Sequence, residues 1–185
     1  MRTLLFGSTL VIAFGLYTTQ FAYAQTPDTQ AASETAANPL PQQDKAFVQA
    51  ASMSSSTEID ASKLAMKQSN DSDVKSFARH MMLDHTKLTL QLKMAAPHDV
   101  AVPKDNSDMA VLDSLKGLRG KAFDTVYIQK VGLDGHQKAV AAFTAESNDG
   151  QNTSLKKLAA KGLPVIKDHL KMAEALASKK GVAAM

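Results

Sequence analysis

Four side chains that can bind a metal ion lie near the middle of four predicted helices: Glu58, His85, His136 and His169. Each falls on the stripe of apolar positions that its helix should turn toward a core. Burying such a polar group costs free energy unless a partner satisfies it. Four of them, one on each helix, predict a single shared polar or metal site inside a helical protein, although they do not define a reaction.

Three neutral imidazoles and one carboxylate would suit a divalent transition metal such as zinc, iron, copper or manganese. Asp84 and Asp168 directly precede two of the histidines, so they could be extra ligands or acceptors for imidazole N–H groups. A metal-free interpretation stays open for each residue. The histidines could be hydrogen-bonded core residues, Glu58 could face solvent or pair with Lys63 or Lys67, and both aspartates could be ordinary surface charges.

The heights of the four residues along their helices are compatible with one layer. Glu58 and His85 lie 12 and 15 residues from the turn at Asn70, a difference of ~4.5 Å at the helical rise. Counted from the next turn, His136 and His169 differ by roughly 6 Å on the same basis. Each pair is therefore level to within about one helical turn.

The apolar period predicts four long helices, over about 43–68, 73–96, 121–147 and 152–178, and a short one over about 108–118. Asp71 or Ser72 can cap the second helix, and Pro164 should kink or restart the fourth. The predicted inward stripe of the third helix comprises Val126, Gln129, Leu133, His136, Val140 and Phe143. No segment alternates like a strand, so the predicted fold is all-α: an antiparallel four-helix bundle with one longer crossover that contains the short helix.

Composition removes several function classes. The chain has no cysteine, which excludes disulfides and thiolate ligands. Only 5% of its residues are aromatic, it lacks Trp, and its net charge of +3 is spread along the helices, so no nucleic-acid surface is expected. Met81, Met94 and Met172 are interpreted as core filler. His80 and His98 have no predicted role.

The N-terminal residues are typical of an exported protein. A positive start at Arg2, an apolar run from Leu4 and an A-x-A end at Ala24 predict a signal peptide over 1–24. A retained membrane anchor is the alternative. Residues 25–41 are polar and predict a disordered tether, which leaves 42–180 as the folded domain, with no integral membrane insertion once the signal is removed.

Four stretches resemble a known family: residues 47–65 (FVQAASMSSSTEIDASKLA), 74–85 (VKSFARHMMLDH), 122–143 (AFDTVYIQKVGLDGHQKAVAAF) and 155–175. The chain is similar to an exported bacterial domain-of-unknown-function family that often carries an outer-membrane-protein label. The resemblance implies a ferritin-like four-helix bundle, a location in the periplasm or at the periphery of the outer membrane, and inward positions for Glu58, His85, His136 and His169. It implies no characterised activity.

The chain departs from that pattern at Gly135, where the family usually has an acidic residue. It also departs from ferritin-like di-iron proteins, which place a Glu three residues before a His; here Met82 and Ile166 precede His85 and His169. A carboxylate-bridged di-iron centre is therefore not expected. The functional prediction is a metal-binding bundle of the cell envelope. The alternatives are a metal-free structural or stress-related interaction protein and, third, a ferritin-like redox enzyme; protein partners, including a homo-oligomer, are left open.

Overall fold

The computed structural model describes residues 39–183. The predicted signal peptide 1–24 and the first part of the predicted tether, residues 25–38, lie outside the described residues. Everything within 39–183 is helix, turn or loop, with no strand, which confirms the all-α prediction for this part of the chain. The helices are α1 Gln42–Gln68, α2 Ser72–Ala95, α3 Met109–Lys116, α4 Gly120–Val126, a π-helical segment Tyr127–Gly135, α5 His136–Asp149 and α6 Thr153–Lys180.

The long helices form two hairpins. Residues 69–71 connect α1 to α2 and residues 150–152 connect α5 to α6, and the two helices of each hairpin pack along each other. Because so short a connection reverses the chain, the helices within each hairpin are antiparallel. The hairpins face one another through contacts of α1 with α5 and of α2 with α6, while α3 packs on α1.

Side-chain oxygens cap the long helices at their beginnings. Asp71 Oδ1 accepts hydrogen bonds from the backbone N–H groups of Asp73 and Val74, at 2.9 and 3.2 Å. Of the two predicted caps, Asp71 is therefore the one that is used. Asn152 caps α6 in the same way, and each such cap stabilises its helix by about 1 kcal/mol.

The apolar core divides into two clusters. The first lies toward the α1–α2 turn and is built around Phe77, Met81, Leu115, Tyr127, Ile128 and Leu133. The second lies toward the α5–α6 turn and is built around Phe47, Val48, Leu88, Phe143, Leu155 and Ile166. Leu40, inside the predicted tether, also belongs to the second cluster and is only 7% exposed. The packed region therefore includes Leu40, two residues before the predicted start of the domain.

The prediction of one regular third helix is wrong. Its first half buries Phe123, Tyr127 and Val131, whereas Val126 and Gln129 are only partly buried. In an α-helix the thirteen residues from Phe123 to His136 would leave those side chains about 220° apart, on nearly opposite faces. The π-helical segment Tyr127–Gly135 lies between them. Its wider i→i+5 turns shift the register, so that both halves of the helix point into the core.

Two further predictions about helices need correction. The fourth long helix does not restart at Pro164, because α6 is continuous from Thr153 to Lys180. Leu158 before the proline and Ile166 after it are both buried in the second cluster, so packing on both sides supports the helix across Pro164. Met94 is 78% exposed and Met172 37% exposed, so neither is core filler, whereas Met81 is fully buried as predicted. Among the helices within 39–183, none has the length and apolar content needed to cross a membrane.

Candidate metal centre

Three histidines lie in a layer between the two apolar clusters. Each comes from a different helix: His85 from α2, His136 from the start of α5 and His169 from α6. On α2, Met81 belongs to the first cluster and Leu88, one turn beyond His85, belongs to the second. The imidazoles therefore separate two hydrophobic regions of the same core, and none of the three is more than 2% exposed.

The three rings are close enough to share one ligand. Their centroids are 5.7 Å apart for His85 and His136, 5.4 Å for His85 and His169, and 5.5 Å for His136 and His169. One nitrogen from each ring lies within 4.8 Å of the others. The structure thus brings three of the four predicted ligands into one group.

The π-helical segment fixes the tautomer of His136. Nδ1 of His136 lies 3.1 Å from the carbonyl oxygen of Val131 and 3.0 Å from that of Gly132. A carbonyl oxygen can only accept, so Nδ1 carries the proton and donates it to these two groups. The other nitrogen, Nε2, is left with its lone pair.

The other two imidazoles are also held through one nitrogen each. Nε2 of His169 donates to the carboxylate oxygen Oδ2 of Asp84 at 2.9 Å. Nδ1 of His85 lies 3.4 Å from the hydroxyl oxygen of Ser55. The remaining nitrogens of the three rings are buried and have no hydrogen-bond partner: His85 Nε2, His136 Nε2 and His169 Nδ1. A buried polar atom without a partner is costly, so a common ligand for these three lone pairs would relieve the cost.

Burial keeps the histidines uncharged. It lowers the pKa of His85 well below its ordinary value, with the neighbouring rings of His136 and His169 acting in the same direction. It lowers the pKa of His136 to about 4, although the two carbonyl acceptors oppose the shift. For His169, burial lowers the pKa while Asp84 partly offsets it. All three are neutral imidazoles near pH 7, which is the form that binds metal ions.

Glu58 lies beside this group but is not part of it. Its carboxylate oxygen Oε1 is 3.6 Å from Nδ1 of His136, the nitrogen that already donates to the π-helical carbonyls. The side chain is nearly fully buried, and burial raises the pKa of its carboxyl well above the ordinary value. A Cβ atom at Gly135 would lie 3.0 Å from Oε1. The glycine that departs from the family pattern is therefore the residue that leaves room for the Glu58 carboxyl.

The two aspartates that directly precede histidines, Asp84 and Asp168, have different environments in the structure. Asp84 lies between α2 and α6 and accepts the hydrogen bond from His169. Asp168 points outward, with 69% of its side chain exposed, and pairs with Lys171 at 3.4 Å. Ser55, whose hydroxyl lies next to His85, was not among the site residues predicted from the sequence. Its position three residues before Glu58 on the same helix was a usable signal, because residues three apart share a face.

The fold and the buried imidazoles define an all-helical protein with a histidine-lined interior. Residues 29–176 match the family described as "Domain of unknown function (DUF4142)", and the chain belongs to this family. Among solved structures, a DUF305 protein from Streptomyces coelicolor, described as a candidate secreted protein, superposes with a TM-score of 0.63. The likeness covers 77% of this chain and 96% of that chain at 15% identity, so it concerns the fold alone. Comparison with curated proteins gives no significant match.

Proposed function

We propose that this protein binds a divalent transition metal through His85, His136 and His169. The observation that carries the proposal is the set of three buried ring nitrogens without hydrogen-bond partners, one from each histidine. Each imidazole is oriented by a hydrogen bond from its other nitrogen, which is how metal-binding histidines are usually held. The proposed metal would replace three unsatisfied lone pairs with three bonds.

The distances support such a site. Nitrogens bound tetrahedrally at the usual zinc distance lie about 3.4 Å apart, whereas one nitrogen from each of the three rings lies within 4.8 Å of the others. Binding thus needs a contraction of about 1.4 Å at most, which side-chain rotation can supply. Three neutral nitrogen donors favour zinc or copper over manganese, which prefers oxygen ligands. Three protein ligands also leave a fourth position open, as in catalytic rather than structural zinc sites.

Glu58, the fourth ligand predicted from the sequence, is not a ligand in this proposal. Its carboxyl faces Nδ1 of His136, while the proposed metal-binding atom of that ring is Nε2. We therefore assign Glu58 a place next to the centre, and we assign the orientation of His169 to Asp84. Asp168 has no part in the proposed centre.

We further propose that the chain is an exported, ferritin-like four-helix bundle of the cell envelope, with the periplasm as its expected location. The antiparallel hairpins α1–α2 and α5–α6 and the longer connection between them support the bundle. The signal-like residues 1–24 support export. The description of the DUF305 protein as a candidate secreted protein is compatible with this location.

Metal analysis of protein purified without a His tag tests the proposal directly. We expect one zinc or copper ion per chain in the wild type and none in the variant His85→Ala/His169→Ala. The exposed His98, in the loop after α2, provides a matched control, since His98→Ala removes one imidazole that is not among the clustered histidines. A wild-type protein without stoichiometric metal after growth and refolding in zinc and copper would refute the proposal.

A metal-free polar layer is the second candidate. It is favoured by the edge-to-face packing of His136 against both His85 and His169, since neutral imidazoles can pack as aromatic rings. Thermal unfolding separates the two candidates. A metal at a hundredfold excess over its dissociation constant adds about 2.7 kcal/mol of stability, equivalent to roughly 5–10 °C in Tm for a domain of this size. An unchanged Tm with zinc and copper would favour the metal-free layer.

A further inference from the structure

A small cavity lies between α1 and α5, next to the histidine layer and separate from it. Its volume is about 120 Å³. Small side chains create it, because Ala51 and Ser54 of α1 face Ala139 and Ala142 of α5 across the gap. None of the three clustered histidines lines it. The cavity reaches the surface at Met53, which is 44% exposed.

The inner end of the cavity is polar, although most of its wall is apolar. Glu58 forms this end together with Gly135 and Val131. The Glu58 side chain is only 2% exposed, and its oxygen Oε2 is buried without a hydrogen-bond partner. A Cβ atom at Gly135 would press on the carboxyl, so the glycine leaves the space that the carboxyl occupies at the end of the cavity. Oε2 accepts no hydrogen bond from the residues that line the cavity, so a donor on a bound ligand would satisfy it.

The charged residues at the cavity do not reach its interior as free charges. Lys130 lies 3.7 Å from Asp134 and is partly neutralised by it. Lys138 is exposed and remains in water. Asp108, on the opposite side, caps α3 with its carboxylate. An anionic ligand would therefore lose its hydration in the cavity without gaining a free positive charge, and a cationic ligand would find only the single Glu58 carboxyl to offset the same loss.

We propose that this cavity is a binding site for a small neutral molecule with an apolar body and a single hydroxyl group, of the size of a phenol. A closed apolar cavity of about 150 Å³ in another protein accepts benzene. A slightly smaller cavity that opens to the surface therefore accepts one ring. The apolar body displaces water from the alanine walls, and the hydroxyl donates a hydrogen bond to the Glu58 carboxyl.

None of the three proposed metal ligands lines this cavity, although Glu58 at its inner end lies 3.6 Å from Nδ1 of His136. The experiment therefore uses protein treated with a chelator, so that it does not depend on the outcome of the metal analysis. Phenol, benzene and benzylammonium are titrated separately, and the backbone amides of Ala51, Gly135 and Ala142 are followed by ¹H–¹⁵N NMR. We expect saturable shifts at these amides with phenol, with a dissociation constant on the order of 1 mM, at least about fivefold weaker binding of benzene, and no binding of benzylammonium.

Two substitutions locate the site. Ala142→Leu fills the cavity and should weaken phenol binding at least tenfold, whereas Ala141→Leu adds the same atoms on the exposed side of α5 and should leave it unchanged. Glu58→Met removes the acceptor but keeps the bulk, and should abolish the preference for phenol over benzene. Because this change replaces an unpartnered buried carboxyl with an apolar side chain, we expect the variant to fold.

Several outcomes of these titrations would show that the cavity is not a phenol-binding site. It is overturned if phenol gives no saturable shift at these amides up to about 20 mM, far above the expected dissociation constant. It is also overturned if benzylammonium binds more tightly than phenol, which would make the site a cation site. Equal phenol binding by wild type and the Ala142→Leu variant would place the ligand elsewhere, and persistence of the phenol preference in the Glu58→Met variant would remove Glu58 from the site.

Discussion

Replacing Asp84 with alanine tests the hydrogen bond that orients the His169 imidazole, which the sequence alone does not distinguish from a contact at Asp168. Asp84 and Asp168 each directly precede a histidine, yet only Asp84 accepts a hydrogen bond from an imidazole, at 2.9 Å from Nε2 of His169. Asp84→Ala removes that acceptor and leaves an additional buried N–H group of His169 without a partner. Asp168→Ala is the matched control, because it removes only an exposed ion pair with Lys171.

The expected magnitudes follow from exposure and partners. A hydrogen bond to a charged group contributes about 1.5–3 kcal/mol, and Asp84 is 37% exposed, so we expect Asp84→Ala to lower the free energy of unfolding by about 1–2 kcal/mol without metal. Loss of an outer acceptor typically weakens metal binding by about 10–100-fold. The exposed pair of Asp168 and Lys171 contributes at most about 0.5 kcal/mol, so its removal should change neither quantity measurably.

Urea unfolding of chelator-treated protein measures the change in the free energy of unfolding. Competition with a chromophoric zinc chelator measures the change in zinc affinity. The two assays are independent, since the loss of stability is expected whether or not metal binds. Equal effects of Asp84→Ala and Asp168→Ala in the urea experiment would refute the assignment of the His169 tautomer. If Asp84→Ala shows the expected loss of stability but an unchanged zinc affinity, Asp84 has no role in metal binding.

Two other predictions concern packing in the half of the domain that lies toward the α5–α6 turn. Burial and the neighbouring Asp44 raise the pKa of Glu146 from 4.5 to about 7, so the folded state retains a proton that the unfolded state loses between these values. Stability should therefore fall as pH rises from 4.5 to 7, by roughly 2–3 kcal/mol, and a series of urea titrations should show this slope shrink in Glu146→Gln. A Cβ atom at Gly162 would lie 2.7 Å from Cε1 of Phe143, so Gly162→Ala should lower Tm through overpacking worth about 1–3 kcal/mol. Gly117→Ala, with nothing within 4 Å, should show no such loss in the same calorimetric scan.

Local signals in the sequence predicted the helical elements well. The apolar period gave an all-α chain, and the short polar turn before α2 contained its cap at Asp71, because a capping side chain bonds to a backbone only two or three residues away. His85, His136 and His169 fell on inward stripes, and all three are buried. These features depend on residues within one or two turns of each other, which is the range that a periodic pattern covers.

Features set by contacts between helices were not available from the sequence. The difference between Asp84 and Asp168 depends on which side of each histidine faces a neighbouring helix, and the two sequence contexts are alike. The continuity of α6 through Pro164 depends on packing on both sides of it. Glu58 has a suitable height for the centre, but its carboxyl approaches His136 from the side of Nδ1, a direction that height along a helix does not specify.

The sequence by itself determined that this protein is helical and that three helices each direct a histidine inward. The tertiary structure decided how those histidines meet. The π-helical segment Tyr127–Gly135 rotates the chain so that Tyr127 and His136 both enter the core, and its carbonyls orient the His136 ring. Such a segment forms when packing on both of its sides outweighs the loss of regular α-helical hydrogen bonds. That balance is a property of the assembled core, so the spacing of residues in the sequence does not predict it.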